Sequence, residues 1–249
     1  MVNTRKYKYF FFMNSSVRGP FLPSYHEASV HWTTLYTQRL NNDVKLVGST
    51  INCQPIFWLS DTANEMRHNP HVQSYVVATD KVGLQILRDD GTIFKCYESL
   101  QDVVWYSEVG ASRAILEAGY TIDALMMKYT GVDWRNKGNW NCNDRQNPYD
   151  DFAYDGLMIN PLEVLFVKMK SYQLESDWIT SKMVATYERW QRNQGQESSD
   201  ATWQHFINQG QFEGRPFRFI CENEYVHPAP EYINTKGRFL LSRQRRLQQ

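Results

Sequence analysis

The chain has 249 residues, 42% of them hydrophobic, which is enough for one large domain or for a domain with an appended helical unit. Lys plus Arg and Asp plus Glu each number 27, so no net charge recruits nucleic acid or an anionic membrane, and no basic stripe interleaved with aromatics offers an RNA platform. The longest strongly apolar run near the start, residues 9–13, is too short to span a bilayer or to form the core of a signal peptide; this predicts a cytoplasmic chain with no transmembrane segment.

Cys53, Cys96, Cys142 and Cys221 are scattered without a C-x-x-C pair, so neither a zinc site nor a disulfide framework is indicated and reduced thiols are expected. Aromatic residues make up 14% of the chain, with eight Trp. Aromatic faces stack well on the C–H faces of sugars, but most aromatic side chains simply fill cores.

In chain order, residues 7–13 read as a buried strand, broken by the turn-forming side chains of Asn14-Ser15-Ser16-Val17-Arg18-Gly19-Pro20. That polar loop leaves the carboxyl end of a strand, the place where ligands collect in open α/β sheets. Residues 31–40 predict a helix and residues 44–51 a strand interrupted at Gly48. Residues 52–69 read as irregular, residues 72–79 as a third strand, and residues 81–87 as a helix stopped by Asp89-Asp90-Gly91.

Ala111, Ile115 and Ala118 fall at helical spacing and Gly119 supplies a stop. This puts Glu108 at the start of a short amphipathic helix, where unpaired N–H groups favour an anion. An ionised carboxylate there could accept a proton; it is also what helix-start preference alone would select. Residues 120–129 are expected to return to the sheet. Residues 130–156, rich in Gly, Asn, Asp and Trp, read as a long functional loop, with Asn141-Cys142-Asn143 and Asn147-Pro148-Tyr149 shaping it. Residues 162–169, 176–191 and 201–209 predict helices, with a polar linker at 195–200 and a solvated Arg-rich end.

Three phrases occur in a fixed order: Met13-Asn14-Ser15-Ser16-Val17-Arg18-Gly19-Pro20, His71-Val72-Gln73-Ser74-Tyr75 and Glu108-Val109-Gly110. On these the chain resembles the rhamnan synthesis F-like glycosyltransferases, whose bacterial members show a similar N-D/S-S-x-x-G-P loop, an H-x-Q-S-Y/F strand and an E-V/I-G helix start. Algal and large-algal-virus relatives look closer still, carrying nearly the whole phrase F-F-F-M-N-S-S-V-R-G-P-F. The resemblance covers roughly residues 7–168. It implies an α/β fold of GT-A-like type, a mixed sheet flanked by helices, over residues 1–170, with an α-helical extension over 171–249. It further implies inverting transfer of a sugar, a deoxyhexose such as L-rhamnose being favoured, from a nucleotide-diphosphate donor to a glycan acceptor in polysaccharide biosynthesis.

Carried over residue by residue, Asn14-Ser15-Ser16 stands where many GT-A enzymes have a metal-holding D-x-D. Neutral Asn and Ser oxygens make a poor site for Mg²⁺ or Mn²⁺, so transfer is expected to be metal-independent, with no cofactor. Arg18, a planar bidentate cation, is the expected offset for the leaving diphosphate, with Asn14, Ser15, Ser16 and Gly19 also facing the donor. Glu108 takes the place of the general base. His71, Gln73 and Ser74 are expected to line the acceptor side, together with Asp133 and Trp134; of the rival acids Asp80, Asp133 and Asp155, Asp133 is the strongest because a Trp stands beside it.

A second, smaller phrase, His205 to Arg215, resembles a unit attached to bacterial glycan-building enzymes and reads as a structural helix-turn cap. Only about six residues precede the first strand, where a GT-A domain usually has several βα units to hold the nucleotide; the expectation is either a domain of a larger glycosyltransferase, working beside its other domains, or a nucleotide held by unusual means. The alternative from another class is a non-catalytic carbohydrate-binding or scaffolding domain.

Overall fold

The computed structural model describes residues 4–27, 29–55, 69–169 and 179–193. The chain divides between residues 199 and 200, and everything described belongs to the first part. The expected 195–200 linker, the 201–209 helix and the His205 to Arg215 phrase lie outside the described residues.

The fold is mixed α/β. A four-stranded sheet has the order β1 (Tyr9–Met13), β6 (Val76–Asp80), β3 (Val44–Gly48), β7 (Thr121–Ala124). β6 is antiparallel to both β1 and β3, whereas β3 and β7 are parallel. Met13 pairs with Val76, Gly48 with Val77, and Gly48 with Ala124. The carboxyl ends of β1, β3 and β7 and the amino end of β6 therefore share one edge of the sheet. On the buried faces Leu46, Val47, Val76, Ala78, Ile122 and Ala124 build the core.

The strand over 44–51 breaks at Gly48 as expected, and the strand expected to run on from residue 72 is bent at the same edge. After β3 the chain steps through Ser49-Thr50 into β4 (Ile51–Asn52), and before β6 it steps through Gln73-Ser74-Tyr75 out of β5 (His71–Val72). β4 and β5 pair with each other instead, Ile51 opposite Val72 and Asn52 opposite His71. The step is held by the Gln73 N–H donating to the Thr50 carbonyl at 3.1 Å and the Val72 N–H donating to Ser112 Oγ at 2.9 Å. The step places the polar residues Ser49, Thr50, Asn52, His71 and Gln73 in the buried layer at the sheet edge.

The segment read as a helix over 162–169 is a helix only at α5 (Pro161–Val164), with Asn160 Oδ1 accepting from the Leu162 N–H and Pro161 in the first turn. Leu165 then adopts φ 61°, ψ −38°, with the Phe166 N–H donating to the Val164 carbonyl at 2.7 Å, a tight γ-turn that a leucine occupies only under constraint. The chain leaves it as β8 (Val167–Lys168), antiparallel to β2 (Val17–Arg18). A short apolar run such as Val164-Leu165-Phe166-Val167 does not distinguish strand from buried helix by its pattern. Phe166 locks the turn by edge-on packing against Trp32, itself beside Phe11 and Tyr36.

Of the span read as helix over 31–40 only α1 (Thr34–Thr37) is α-helical; helix α2 (Lys81–Asp89) follows β6 directly, capped by Asp80, whose Oδ1 accepts from the Gly83 N–H. The Glu108 helix begins earlier than expected: Ser99 caps α3 (Leu100–Asp102), the chain continues as a π-helical segment over Val103–Val109, and α4 (Gly110–Glu117) completes it. It ends where the sequence placed the stop. Gly119, at φ 84°, donates to Leu116, and Tyr120 donates to Ile115, the paired bonds of a Schellman cap.

The helix Ile179–Asn193, assigned from sequence to an extension beginning at 171, packs into this domain through Val184 and Tyr187. The thiol expectation is also corrected. Cys53, just after β4, is bonded to Cys142 of the long loop, Cys96 is disulfide-bonded as well, and no described cysteine is free. Cysteines far apart in sequence gave no spacing signal. Among the described residues no helix is long and apolar enough to cross a membrane.

Candidate functional site

The shared sheet edge gathers the three phrases singled out in the sequence. From β1 comes the Asn14-Ser15-Ser16 turn, in which Asn14 Oδ1 accepts from the Ser16 N–H at 3.0 Å and from the Ser16 hydroxyl at 2.6 Å. The Asn14 N–H donates to the Tyr75 carbonyl at 3.2 Å, seating the turn beside the step between β5 and β6. The Ser74 N–H donates to Glu108 Oε1 at 3.3 Å, so the second and third phrases meet.

Glu108 does not stand at a helix start. It lies inside the π-helical segment, eight residues beyond the first residue of α3, and the field of the helix N-terminus falls off within one turn. What holds its carboxylate is the Ser74 N–H and the Lys168 ammonium at 4.0 Å. π-helical turns are rare and concentrate at functional sites. The Glu108 side chain is 12% exposed and that of Lys168 is 21% exposed, so both are sheltered yet reachable from solvent.

His71 lies beneath this pair. It is buried, and its Nδ1 makes no hydrogen bond. Burial holds the imidazole below its ordinary pKa of 6.5; the Glu108 charge and the Asn69 backbone oppose that shift, and Lys168 adds to it. The ring is therefore neutral at neutral pH, a buried acceptor or donor beside a carboxylate.

Gln73 faces inward. Its Oε1 accepts from Thr50 Oγ1 at 2.8 Å, Thr50 Oγ1 also bonds the Tyr75 hydroxyl at 3.0 Å, and Tyr75 in turn bonds the Tyr149 hydroxyl. This buried chain of polar groups makes Gln73 part of the frame that fixes the step rather than a group offered to a ligand. It also shows how the long loop reaches the site: Tyr149 and the Cys53–Cys142 bridge both bring residues 130–156 back to this edge.

Other expected site residues lie elsewhere. Arg18 is 4% exposed on its side chain and its Nε sits 3.5 Å from Glu188 Oε1 on the helix Ile179–Asn193, itself 6% exposed. The guanidinium thus faces a buried acid and not the donor loop's open side. Gly19, at φ 127°, lies so close to Leu165 and Phe166 that a Cβ would stand 2.3 Å from the Leu165 carbonyl oxygen; its role is to let the two chain segments touch.

Asp133 and Trp134 are at the opposite edge. The Trp134 N–H donates to Thr121 Oγ1 at the amino end of β7, and its ring is 0% exposed, packed edge-on against Tyr129. It has no face to offer a sugar. Asp133 is half exposed and forked by Arg135, at 2.9 Å from Nε and 2.9 Å from Nη2, bonds that hold its carboxyl below the usual range. The remaining rival acids are likewise engaged, Asp80 with Lys45 at 2.8 Å and Asp155 with Lys128 at 2.6 Å.

Sequence reasoning missed Lys168, hidden in a segment read as helix. The alternation of buried Val167, partly exposed Lys168 and buried Met169 is the strand signature that could have found it. Among the described residues no three His, Cys, Asp or Glu side chains cluster as metal ligands would. Compared with known proteins, the chain matches no family model, no curated protein and no solved structure.

Proposed function

We propose that the chain is a glycosyltransferase of GT-A-like type that inverts the anomeric centre, taking a sugar from a nucleotide-diphosphate donor to a glycan hydroxyl with Glu108 as the general base. The observation that carries the reading is the Ser74 N–H bond to Glu108, one residue from Tyr75, whose carbonyl seats the Asn14-Ser15-Ser16 turn, at the edge where β1, β3 and β7 present their carboxyl ends. In this reaction the acceptor oxygen attacks the anomeric carbon, a new C–O bond forms, and the bond to the diphosphate oxygen breaks with its electron pair leaving on the diphosphate. The acceptor's proton goes to Glu108. One carboxylate suffices, because inversion needs no enzyme nucleophile.

The Asn14-Ser15-Ser16 turn offers a donor neutral hydroxyl and amide groups, with Asn14 Oδ1 already occupied by Ser16. Such a turn suits hydrogen bonding to a sugar or phosphate and does not suit a hard cation, so transfer proceeds without a divalent metal on this loop. Deoxyhexose donors such as nucleotide-linked L-rhamnose fit the family resemblance, with a polysaccharide as acceptor.

The test is to incubate the purified chain, with EDTA and separately with Mn²⁺ or Mg²⁺, with a panel of nucleotide sugars and glycan acceptors, and to measure nucleotide release and glycan product. Product in EDTA that disappears in Glu108→Gln supports the reading. Glycan binding with no product from any donor would instead support the non-catalytic carbohydrate-binding alternative, and activity recovered only by added metal would overturn the metal-free mechanism.

A further inference from the structure

We infer that Lys168 is the cation of a diphosphate-binding site made with the Asn14-Ser15-Ser16 turn, and that this same lysine, by leaving Glu108 for the diphosphate, frees the base when the donor is bound. The inference rests on the proposed donor class and assigns a role that Arg18 is not placed to play.

Lys168 is brought to the turn by backbone pairing. Val17 and Lys168 are register partners in the β2–β8 ladder, and the Met169 N–H donates to the Ser16 carbonyl at 2.7 Å. The strained turn at Leu165 and the packing of Phe166 against Trp32 fix the strand's approach. The sheltered ammonium lies 4.0 Å from Glu108 Oε1, at the outer limit of an ion pair. That spacing leaves the ammonium's donors largely unspent on the carboxylate, and a third polar group of the cluster, His71 Nδ1, is buried without a partner.

An anion carrying two charges competes for Lys168 more strongly than one carboxylate at that distance. Donor binding then transfers the ammonium from Glu108 to the phosphate oxygens, where it offsets the negative charge that grows as the C–O bond to the leaving group breaks. Glu108 keeps the Ser74 N–H and is released to take the acceptor's proton. The arrangement gives a binding order, donor before proton abstraction, with no moving segment beyond one side chain.

The experiment is calorimetric titration of UDP, GDP, dTDP and inorganic pyrophosphate, in EDTA, into the wild-type chain and into Lys168→Ala, Lys168→Arg and Glu108→Gln. Expected are binding to wild type that weakens with salt, a loss of tenfold or more in Lys168→Ala, near-retention in Lys168→Arg, and tighter binding in Glu108→Gln, where the competing carboxylate charge is gone. Wild-type binding that Lys168→Ala leaves unchanged overturns the inference, as does absence of binding by all four probes. Circular dichroism of each variant confirms that the folded protein is what is titrated. The outcomes separate from the proposed function: diphosphate binding lost in Lys168→Ala with no transfer from any sugar donor keeps this site and removes the transferase, whereas transfer with Lys168→Ala binding unchanged does the reverse.

Discussion

Ser74 and Glu108, thirty-four positions apart in sequence, are joined by a backbone N–H donated to a carboxylate oxygen at 3.3 Å. The bond exists because the chain steps out of β5 before entering β6, which turns the Ser74 amide away from any ladder, and because the π-helical segment carries Glu108 toward it. A backbone donor cannot be removed by side-chain substitution, so the carboxylate keeps its position in variants that alter its charge.

That property makes Glu108→Gln a clean probe of the base. The amide oxygen still accepts from Ser74, so the fold is retained and donor binding is not weakened while the proton acceptor is lost. Turnover should fall by roughly 10² to 10⁴, the usual contribution of general-base catalysis. Asp133→Asn, at the opposite sheet edge and already held by Arg135, should leave turnover within about twofold. Steady-state rates of both variants check the pair; equal rates for wild type and Glu108→Gln would remove Glu108 from the role.

Arg18 and Glu188 form a buried ion pair joining β2 to the helix Ile179–Asn193, a contact reinforced by Gln191 Nε2 donating to the Pro20 carbonyl at 3.0 Å. Removing one partner strands the other charge in the core, which costs about 3–5 kcal/mol. Urea unfolding should therefore show Arg18→Ala strongly destabilised, with the Arg18→Met, Glu188→Leu double variant recovering much of the loss. A stability near wild type in Arg18→Ala, with diphosphate binding abolished, would return Arg18 to the donor site.

The order of strands and helices up to residue 129 was largely legible, because alternation and apolar runs mark β1, β3 and β6, and Gly119 marks a helix end through its positive φ. The three phrases also meet in space. What was not legible is long-range. The bend at Gln73-Ser74 depends on β4 and β5 finding each other, and a run such as residues 164–167 becomes a strand only because Val17 and Arg18 need a partner. Trp134 next to Asp133 resembled a sugar platform, but the pair is divided by its surroundings, the ring taken into the core and the acid left outside. Arg18 failed for the same reason: its partner, Glu188, is 170 residues away. Burial of this kind is decided by tertiary neighbours, which local composition does not encode.

The Cys53–Cys142 bridge closes a long loop, with a sequence separation of 89, and ties the 130–156 loop to the residue that follows β4. In the chain-entropy account, cross-linking a loop of this size is worth about 4–5 kcal/mol, through the unfolded chain. The Cys53→Ser, Cys142→Ser double variant should lose that much in urea unfolding, and because Asn52 pairs with His71 the loss should extend to weaker donor binding. Thiol titration of the protein as isolated checks that the bridge is formed: two free thiols at Cys53 and Cys142 would remove this prediction.

His71 supplies the pH dependence. Its imidazole is held below the ordinary 6.5 by burial, with Glu108 and Lys168 the charged groups that face it. The unfolded chain therefore binds a proton at a higher pH than the folded one, so stability is full above about 6.5 and declines as pH falls from there toward the depressed folded value. Below that value the folded ring protonates too and the decline from this residue ends. His71→Gln keeps a buried polar side chain without a titrating proton, so the difference in unfolding free energy between wild type and variant should shrink or reverse between pH 7.5 and pH 5. Protonation of the folded ring, which comes only at the depressed value, places a positive charge beside Glu108, so turnover should fall at lower pH than the stability begins to. Urea unfolding and initial rates measured at matched pH values test both at once; a stability difference independent of pH would show that the buried ring does not titrate differently on folding, and an unchanged rate would separate His71 from the work of Glu108.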